Sequence, residues 1–194
     1  MNNVRSYTDK ELLDKAMSLK SFKGFPEGYW LLGVQSDEDK FNRFDDKFYL
    51  FKGEKFILVT SGTTNAGKAA MMGFEKYNKL GVAVIKVDEW YYDLWRAGLH
   101  RGRTKALRQI SPIKHYRDNN KNTIIEQIGK LYNKMIGCNF HTNSYNIWNK
   151  LVRWTTGGWS ACCQVVNDPI KYYKILSLVK KNKVSYCLLE EFNV

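Results

Sequence analysis

Two adjacent cysteines and one histidine are the residues of this chain that could carry out covalent chemistry. Cys162 and Cys163 lie within the segment TTGGWSACCQVVND (155–168), and His141 stands 22 positions before Cys163. A cysteine becomes a nucleophile when a neighbouring base or a helix N-terminus favours its thiolate. His141 could serve as that base, and a helix predicted from Pro169 could supply part of the field. The spacing therefore predicts a thiol nucleophile, Cys163, paired with the imidazole of His141.

The other two cysteines, Cys138 and Cys187, have no chemical partner in the sequence. The chain contains no CxxC pair and no Cys/His metal spacing, so we expect reduced thiols and neither a metal nor another cofactor. A lone cysteine is usually a small buried hydrophobic residue. We therefore expect Cys138 and Cys187 to be buried without a catalytic role.

A second segment, SGTTNAGKAA (61–70), suggests a different chemistry. Gly62, Gly67 and Lys68 have the glycine and lysine spacing of a phosphate-binding P-loop, and an apolar strand precedes them. Ala69, however, stands where the motif needs a Ser or Thr hydroxyl for the magnesium ion. A nucleotide-dependent enzyme is therefore an alternative, beside the simpler interpretation that the loop is shaped by its neighbours.

The residues around the cysteines resemble the catalytic motif of the L,D-transpeptidases, which place a histidine before a Ser-x-Gly-Cys sequence. In this chain His141-Thr-Asn is followed by WSACCQ (159–164). The resemblance implies that Cys163 attacks a peptidoglycan stem peptide, that His141 is its base and that the Thr142 carbonyl orients the imidazole. It also implies that Ser160 holds the turn by a hydrogen bond.

The resemblance extends to proteins of tailed, crAss-like bacteriophages that carry a Trp-Ser-Ala-Gly-Cys-Gln motif and are associated with peptidoglycan. The similar segments cover most of the chain and are FDDKFYLF (44–51), GTTN (62–65), GLH (98–100), ALRQ (106–109) and YRD (116–118). The resemblance implies substrate-binding or supporting roles for Trp159, Ser160, Cys162, Gln164, His100, Arg117, Asp118, Thr63 and Thr64. It also makes the loop at Gly62 one wall of the substrate cleft.

Two positions depart from the transpeptidase pattern. Cys162 stands where the family has glycine, and a glycine conformation would strain a cysteine beside the backbone that supplies oxyanion donors. Val165 stands where the family has an arginine, so another cation, Arg117 or Arg153, would have to bind a stem-peptide carboxylate. These departures keep a catalytically silent protein among the alternatives.

The elements that would position these residues are mostly strands. A capping box from Thr8 to Glu11 predicts a helix over about 8–21. Strands are predicted at 29–34, 47–51, 56–60, 82–87, 113–116 and 184–189, with a hairpin turn at 52–55, a loop at 61–67 and polar residues turning the chain at 118–122.

Three further helices are expected. One follows the loop and reaches Tyr77, and one is predicted by the apolar spacing over 124–135 in spite of Gly129. Asp168 and Pro169 predict the N-cap and first residue of the last helix. Its predicted buried stripe consists of Ile170, Tyr173, Leu176 and either Val179 or Leu178.

The composition is that of a packed domain with a basic surface. Hydrophobic residues make up 44% of the 194 residues, and no apolar run is long enough to span a membrane. The formal net charge of +12 should attract polyanions. Nucleic acid and an anionic cell envelope both qualify as partners, but the basic residues are scattered, so we expect most of them to form a solvated surface. With the resemblance to peptidoglycan-associated proteins, the expected partner is the anionic cell envelope and not nucleic acid. No apolar stretch follows a basic one at the N-terminus, and we expect no secretory signal peptide.

The predicted fold is a single α+β, mostly β domain over residues 1–194, a mixed β-sandwich with peripheral helices similar to the L,D-transpeptidase fold. The predicted function is that of a cysteine-dependent enzyme that hydrolyses or cross-links peptidoglycan stem peptides through a thioacyl intermediate. The alternatives are a catalytically silent virion or envelope-binding protein of the same fold and, third, the nucleotide-dependent enzyme. The phage resemblance implies a location in the host cytoplasm or the virion, action at the bacterial cell wall, and other virion proteins as partners.

Overall fold

The computed structural model describes residues 6–38, 40–146 and 148–193; the first five residues, on which the expectation about a signal peptide partly depends, lie outside this part. The described α-helices are α1 (Asp9–Ser18), α2 (Lys68–Met72) and α3 (Pro169–Val179). The helix predicted to reach Tyr77 is α2 followed by a short 3-10 helix at Phe74–Lys76. The described strands are β1 (Tyr29–Gln35), β2 (Asp46–Lys52), β3 (Lys55–Thr63), β4 (Val82–Ile85), β5 (Glu89–His100), β6 (Thr104–Gln109), β7 (Ile113–Asp118), β8 (Tyr132–Lys134), β9 (Phe140–Thr142), β10 (Gln164–Val166) and β11 (Lys183–Glu190). None of the described helices is long and apolar enough to cross a membrane.

Eight strands form one closed sheet in the order β1-β11-β5-β6-β9-β10-β3-β2, with β2 pairing back onto β1. The pairs β1–β11 and β9–β10 are parallel, and the other six pairs are antiparallel. A second, antiparallel sheet consists of β4, β7 and β8. The predicted α+β, mostly β fold with mixed sheets and peripheral helices is confirmed.

Successive side chains of β1 belong to two different hydrophobic cores. Leu31 belongs to the main core, which combines the closed sheet with α3 and with side chains of the second sheet. Its neighbours Trp30 and Leu32 point to the opposite face, as successive residues of a strand must, and pack in a second core with Leu12 and Ala16 of α1. The helix therefore covers the outer face of the strands that carry the main core.

Helix α1 begins at the capping box that the sequence predicts. The Thr8 hydroxyl accepts a hydrogen bond from the Glu11 backbone at 3.3 Å, and the Glu11 carboxylate accepts one from the Thr8 backbone at 2.6 Å. The helix ends at Ser18 rather than near Ser21, because Leu19 is extended at ψ 138°. The Phe22 backbone then donates to the Leu19 carbonyl, which turns the chain towards β1.

The prediction of a helix over 124–135 is wrong. Gly129 has a φ of +78°, a left-handed conformation that a right-handed helix cannot include, and Tyr132–Lys134 is strand β8. The apolar residues that suggested a helical face are instead exposed, with Ile124 at 62% and Ile128 at 61%. Apolar spacing alone was a poor guide here because the segment buries no continuous face.

Helix α3 begins as predicted, and its predicted buried stripe is partly right. Val179 is buried, and Tyr173 and Leu176 are partly buried against the main core. The Asp168 side chain caps the backbone of Ile170 and Lys171, and Pro169 is the first helical residue. The buried residues are Tyr172, Ile175 and Val179, whereas Ile170 is 59% exposed. Contacts of Tyr172 determine which face of α3 is buried. The Tyr172 ring centroid lies 5.8 Å from that of Phe140, and the Tyr172 hydroxyl donates to the Lys105 carbonyl.

Each strand predicted from the sequence is present within one to three residues, while five strands were not predicted. Strand β3 runs on to Thr63, through the segment expected to be a loop from residue 61. The unpredicted strands are β5, β6, β8, β9 and β10. Strands β9 and β10 have only three residues each, too few for a detectable alternation, yet they flank the candidate site.

Candidate active site

The parallel pairing of β9 with β10 brings the predicted histidine and cysteine together. His141 aligns with Val165, and Cys163 immediately precedes β10. One ring nitrogen of His141, one ring nitrogen of His100 and the Sγ of Cys163 lie within 4.8 Å of one another. The three side chains come from β9, from the end of β5 and from the residue before β10, so the closed sheet itself builds the cluster.

The backbone orients His141 as the transpeptidase resemblance implies. Its Nδ1 lies 2.8 Å from the Thr142 carbonyl oxygen, which can only accept, so Nδ1 carries the proton in the neutral ring. Nε2 is then the basic nitrogen, and it is buried without a hydrogen-bond partner among the described residues. A second bond, from the Thr142 hydroxyl to the Val166 carbonyl at 3.2 Å, ties β9 to β10 beside the ring.

Cys163 is a buried thiol, only 7% exposed. The pKa of this thiol is raised well above its usual value, first by a hydrogen bond with the adjacent Cys162 thiol and then by burial, whereas His141 lowers it. The sequence predicted that a helix N-terminus would favour the thiolate. The surroundings of Cys163 together favour the protonated thiol instead. The resting nucleophile is a thiol, and His141 must take its proton when it reacts.

The turn before Cys163 is held by Ser160 and by the loop that resembles a P-loop. The Ser160 hydroxyl donates to the Cys163 carbonyl at 2.8 Å, and the Gly67 backbone donates to the Ser160 carbonyl at 2.9 Å. The next two backbone N–H groups, of Lys68 and Ala69, donate to the side chain of Asn42 and to a neighbouring carbonyl. These donors would have to face a phosphate in a P-loop, and all three are already bonded within the protein.

Cys162 occupies its turn without the strain that the glycine comparison suggested. It is not among the non-glycine residues with positive φ in the described chain, so no left-handed conformation is forced on it. Its side chain is buried in the main core, and the Cys138 thiol donates to its carbonyl at 2.9 Å. All four cysteines are free and buried, as expected for Cys138 and Cys187.

Gln164, Thr63 and Thr64 are placed beneath the site rather than along its cleft. The Gln164 amide donates to the Thr64 carbonyl at 2.9 Å and accepts from the Tyr186 hydroxyl at 2.6 Å. Thr63 aligns with Val165 across β3 and β10, and the Thr64 backbone and hydroxyl both donate to the Asp46 carboxylate. These residues therefore fix the position of β10 and do not form a cleft wall.

His100 lies face to face with His141, with ring centroids 4.3 Å apart and an interplanar angle of 28°. Burial lowers the pKa of His100, and the nearby charges of Arg101 and Arg108 lower it further. The Asn139 amide lies 3.0 Å from the His100 Nδ1. His100 is thus a neutral imidazole anchored by Asn139, a residue to which the sequence had given no role.

The His100, His141 and Cys163 cluster has the donor types of a metal site, but the bonds around it argue against one. The Asn139 Oδ1 accepts from the Gln109 backbone at 2.9 Å, so its Nδ2 must be the group that faces His100. The Nδ1 of His100 is then an acceptor and the proton of the neutral ring sits on Nε2. A nitrogen that keeps its proton has no lone pair for a metal ion.

A cavity of about 950 Å³ opens over Cys163. Its lining includes His100, Asn139, Cys162, Trp159 and Tyr145, and the last two rings lie 4.9 Å apart. Four cationic residues, Lys76, Arg101, Arg108 and Arg117, also line the cavity, and no aspartate or glutamate does so among the described residues. The cavity therefore places the Cys163 thiol in a surrounding of positive charge.

Arg117 and Asp118 separate in the structure although they are adjacent in sequence. Arg117 lines the cavity and donates from Nη1 to the Gly81 carbonyl at 3.0 Å. The Asp118 carboxylate instead accepts from the backbones of Asn120 and Glu126, which shapes the turn after β7. Arg153, the other cation considered for a stem-peptide carboxylate, does not line the cavity.

Comparison of the chain with protein-family models, with curated proteins and with solved structures finds no match in any of the three.

Proposed function

We propose that the protein is a cysteine-dependent enzyme that forms a thioacyl intermediate on Cys163 with a peptidoglycan stem peptide. The observation that supports this most is the pairing of Cys163 with His141. One ring nitrogen of His141 lies within 4.8 Å of the Cys163 Sγ. The Thr142 carbonyl holds Nδ1, and the buried Nε2 has no hydrogen-bond partner among the described residues. A base oriented in this way beside a thiol is the arrangement that cysteine acyl transfer requires.

The charge of the cavity supports an acidic peptide as the substrate. Peptidoglycan stem peptides carry free carboxylates, and four cations line the cavity with no described acidic residue among them. Guanidinium groups bind carboxylates through paired hydrogen bonds, which adds orientation to the charge attraction. Arg117, close to Cys162 in the lining, would take the part that the transpeptidase arginine has in the position of Val165.

In the proposed reaction one proton moves from the Cys163 thiol to His141 and from there to the leaving amine. The His141 Nε2 takes the Cys163 proton as Sγ bonds to the carbonyl carbon of the substrate. The tetrahedral intermediate collapses as the bond from carbon to the leaving amine breaks, and His141 returns the proton to that amine. Water or a second amine then attacks the thioester, which gives hydrolysis or cross-linking. The phage resemblance favours water.

The surface charge would concentrate the protein at its substrate. The formal net charge of +12 attracts the anionic cell envelope. A phage protein with this activity would act at the bacterial cell wall from the host cytoplasm or from the virion, in the second case beside other virion proteins.

One observation favours the catalytically silent alternative. Cys163 is 7% exposed and the pKa of its thiol is raised, so it is less reactive at rest than the cysteines of most thiol enzymes. In this alternative the basic cavity binds the envelope peptide without acylation.

Intact-mass analysis of the protein with purified peptidoglycan and with a soluble stem tetrapeptide separates the two functions. We expect a stem-peptide adduct on Cys163 or release of its leaving amine, and loss of both in Cys163→Ser and in His141→Ala. Cys187→Ser is the matched control, since Cys187 is also a buried free thiol but lies in the second core. Retention on peptidoglycan with neither adduct nor product in the unaltered protein would establish the silent alternative.

A further inference from the structure

We infer that His100 is a second catalytic residue, which donates its Nε2–H to the oxyanion of the tetrahedral intermediate on Cys163. The inference depends on the proposed thioacyl chemistry and adds a role that the transpeptidase motif does not contain. Three observations on the described residues carry it: the hydrogen bonds of Asn139, the position of His100 in the cavity, and its charge state.

The hydrogen bonds of Asn139 fix which nitrogen of His100 bears the proton. The Gln109 backbone donates to the Asn139 Oδ1 at 2.9 Å, so the Asn139 amide nitrogen is the atom 3.0 Å from the His100 Nδ1. An amide nitrogen can only donate, and Nδ1 therefore accepts. The neutral ring then presents Nε2–H, for which no described residue is recorded as an acceptor.

The position of His100 suits a group that acts on the substrate oxygen. His100 lines the cavity beside Cys163, and one of its ring nitrogens lies within 4.8 Å of Sγ. The oxyanion forms one bond away from the carbon that Sγ attacks, and an effective donor lies about 2.7–3.1 Å from it. The ring therefore lies close enough to Sγ for its remaining donor, Nε2–H, to serve that oxygen while Nδ1 stays bonded to Asn139.

The charge state of His100 keeps it from competing with His141 as a base. Burial and the two nearby arginines, Arg101 and Arg108, favour the neutral ring. The two imidazoles are stacked at 4.3 Å, where two positive charges would repel each other. His141 becomes positive when it takes the thiol proton, so a neutral His100 is the state that this stack permits. His100 donates a hydrogen bond and transfers no proton.

Two reagents with different transition states test this role without knowledge of the natural substrate. Iodoacetamide alkylates a thiol by direct displacement and forms no oxyanion, whereas p-nitrophenyl acetate acylates it through one. We would measure both rates at Cys163 by mass spectrometry in the unaltered protein, in His100→Phe, which keeps an aromatic ring, and in His100→Gln, which keeps an N–H donor. His141→Ala serves as the control that removes the base.

For His100→Phe we expect alkylation within about twofold of the unaltered protein and acylation lower by about a hundredfold, the usual effect of losing one oxyanion donor. His100→Gln should regain part of the acylation rate, and His141→Ala should slow both reactions at neutral pH. Equal loss of both reactions in His100→Phe would make His100 a positioning residue and overturn the inference, as would unchanged acylation. If His100→Phe does not fold, Asn139→Ala, which frees Nδ1, should lower acylation selectively.

Two other outcomes are distinguishable. If the unaltered protein is alkylated but never acylated at Cys163, the proposed function and the role of His100 both fail. Zn²⁺ could instead bind to the unaltered protein in a ratio of one to one and block alkylation of Cys163, while His100→Phe binds none. The three side chains would then form a metal site, and both catalytic proposals would fail.

Discussion

The backbone N–H of Gly67 donates to the carbonyl of Ser160 at 2.9 Å, and this bond connects the two segments whose sequences suggested competing functions. Ser160 in turn donates from its hydroxyl to the Cys163 carbonyl. The glycine-rich loop thus supports the cysteine turn instead of cradling a phosphate. A Cβ on Gly67 would overlap the Gly157 carbonyl oxygen and approach the Thr156 side chain.

We therefore expect Gly67→Ala to lower the free energy of unfolding by about 1–3 kcal/mol, the usual cost of overpacking, and to slow the labelling of Cys163. Gly28→Ala is the matched control, because a Cβ at Gly28 meets nothing within 4 Å. Urea unfolding of both variants measures the difference. A stable Gly67→Ala variant would mean that the loop does not support the turn.

The same bond leads to a prediction about nucleotides. Lys68→Ala should leave acylation of Cys163 unchanged, and a magnesium nucleotide should not raise the melting temperature. A ligand at a hundred times its dissociation constant would stabilise the folded state by about 2.7 kcal/mol, which a melting curve detects. A nucleotide-dependent rise would restore the P-loop interpretation.

The reactivity of Cys163 should depend on pH in a way that identifies its neighbours. Because the pKa of this thiol is raised, we expect iodoacetamide labelling of the unaltered protein to increase only at pH values above those of an ordinary cysteine. Cys162→Ala removes the largest cause of the raised pKa and should shift the profile to lower pH. His141→Ala removes the lowering influence and should shift it to higher pH. Coincident profiles for all three proteins would disprove this account of the thiol.

The motif resemblance predicted the hydrogen bonds whose partners are close in sequence. The Thr142 carbonyl and the Ser160 hydroxyl bond as the resemblance implies, since each partner lies within three residues. Asn139 was missed because its role depends on the contact of β9 with the end of β5. The expectation that the loop at Gly62 forms a cleft wall was wrong for the same reason, because pairing with β10 places Gly62 and Thr63 beneath the site.

The fold shows the same division between local and long-range effects. The hairpin of β2 and β3 and the caps of α1 and α3 depend on neighbouring residues and could be predicted. The 124–135 segment could not, because the conformation of Gly129 is set by the turn into β8 and leaves no trace in the apolar spacing.

Asp46, which holds Thr64, should make stability depend on pH. Burial and the neighbouring Asp45 raise the pKa of Asp46 to about 8. The three hydrogen bonds that its carboxylate accepts from Ser36 and Thr64 lower the pKa but do not offset this rise. The unfolded value is about 3.9, so between about pH 4 and pH 8 the folded state alone holds the proton. Stability should therefore fall as pH rises through this window, by up to about 1.4 kcal/mol per pH unit.

Urea unfolding of the unaltered protein and of Asp46→Asn at pH 5, 6, 7 and 8 measures this effect. We expect the variant to be less stable at pH 5, since its amide cannot accept all three bonds, and to have a shallower pH dependence. Equal slopes for the two proteins would assign the pH dependence to other groups.

The last prediction concerns the charge that selects the substrate. Arg117 lines the cavity near Cys162, whereas Arg153 lies outside it, so the two arginines form a matched pair. Arg117→Met should raise the KM for a stem peptide with free carboxylates by about tenfold, which corresponds to the loss of one charge-assisted hydrogen bond, and should leave the KM for the amidated peptide unchanged. Arg153→Met should change neither value. Because both variants lose one positive charge, a general effect of surface charge would raise the KM for the acidic peptide equally in the two variants. Equal KM values for the acidic peptide in the two variants would show that Arg117 does not bind the carboxylate.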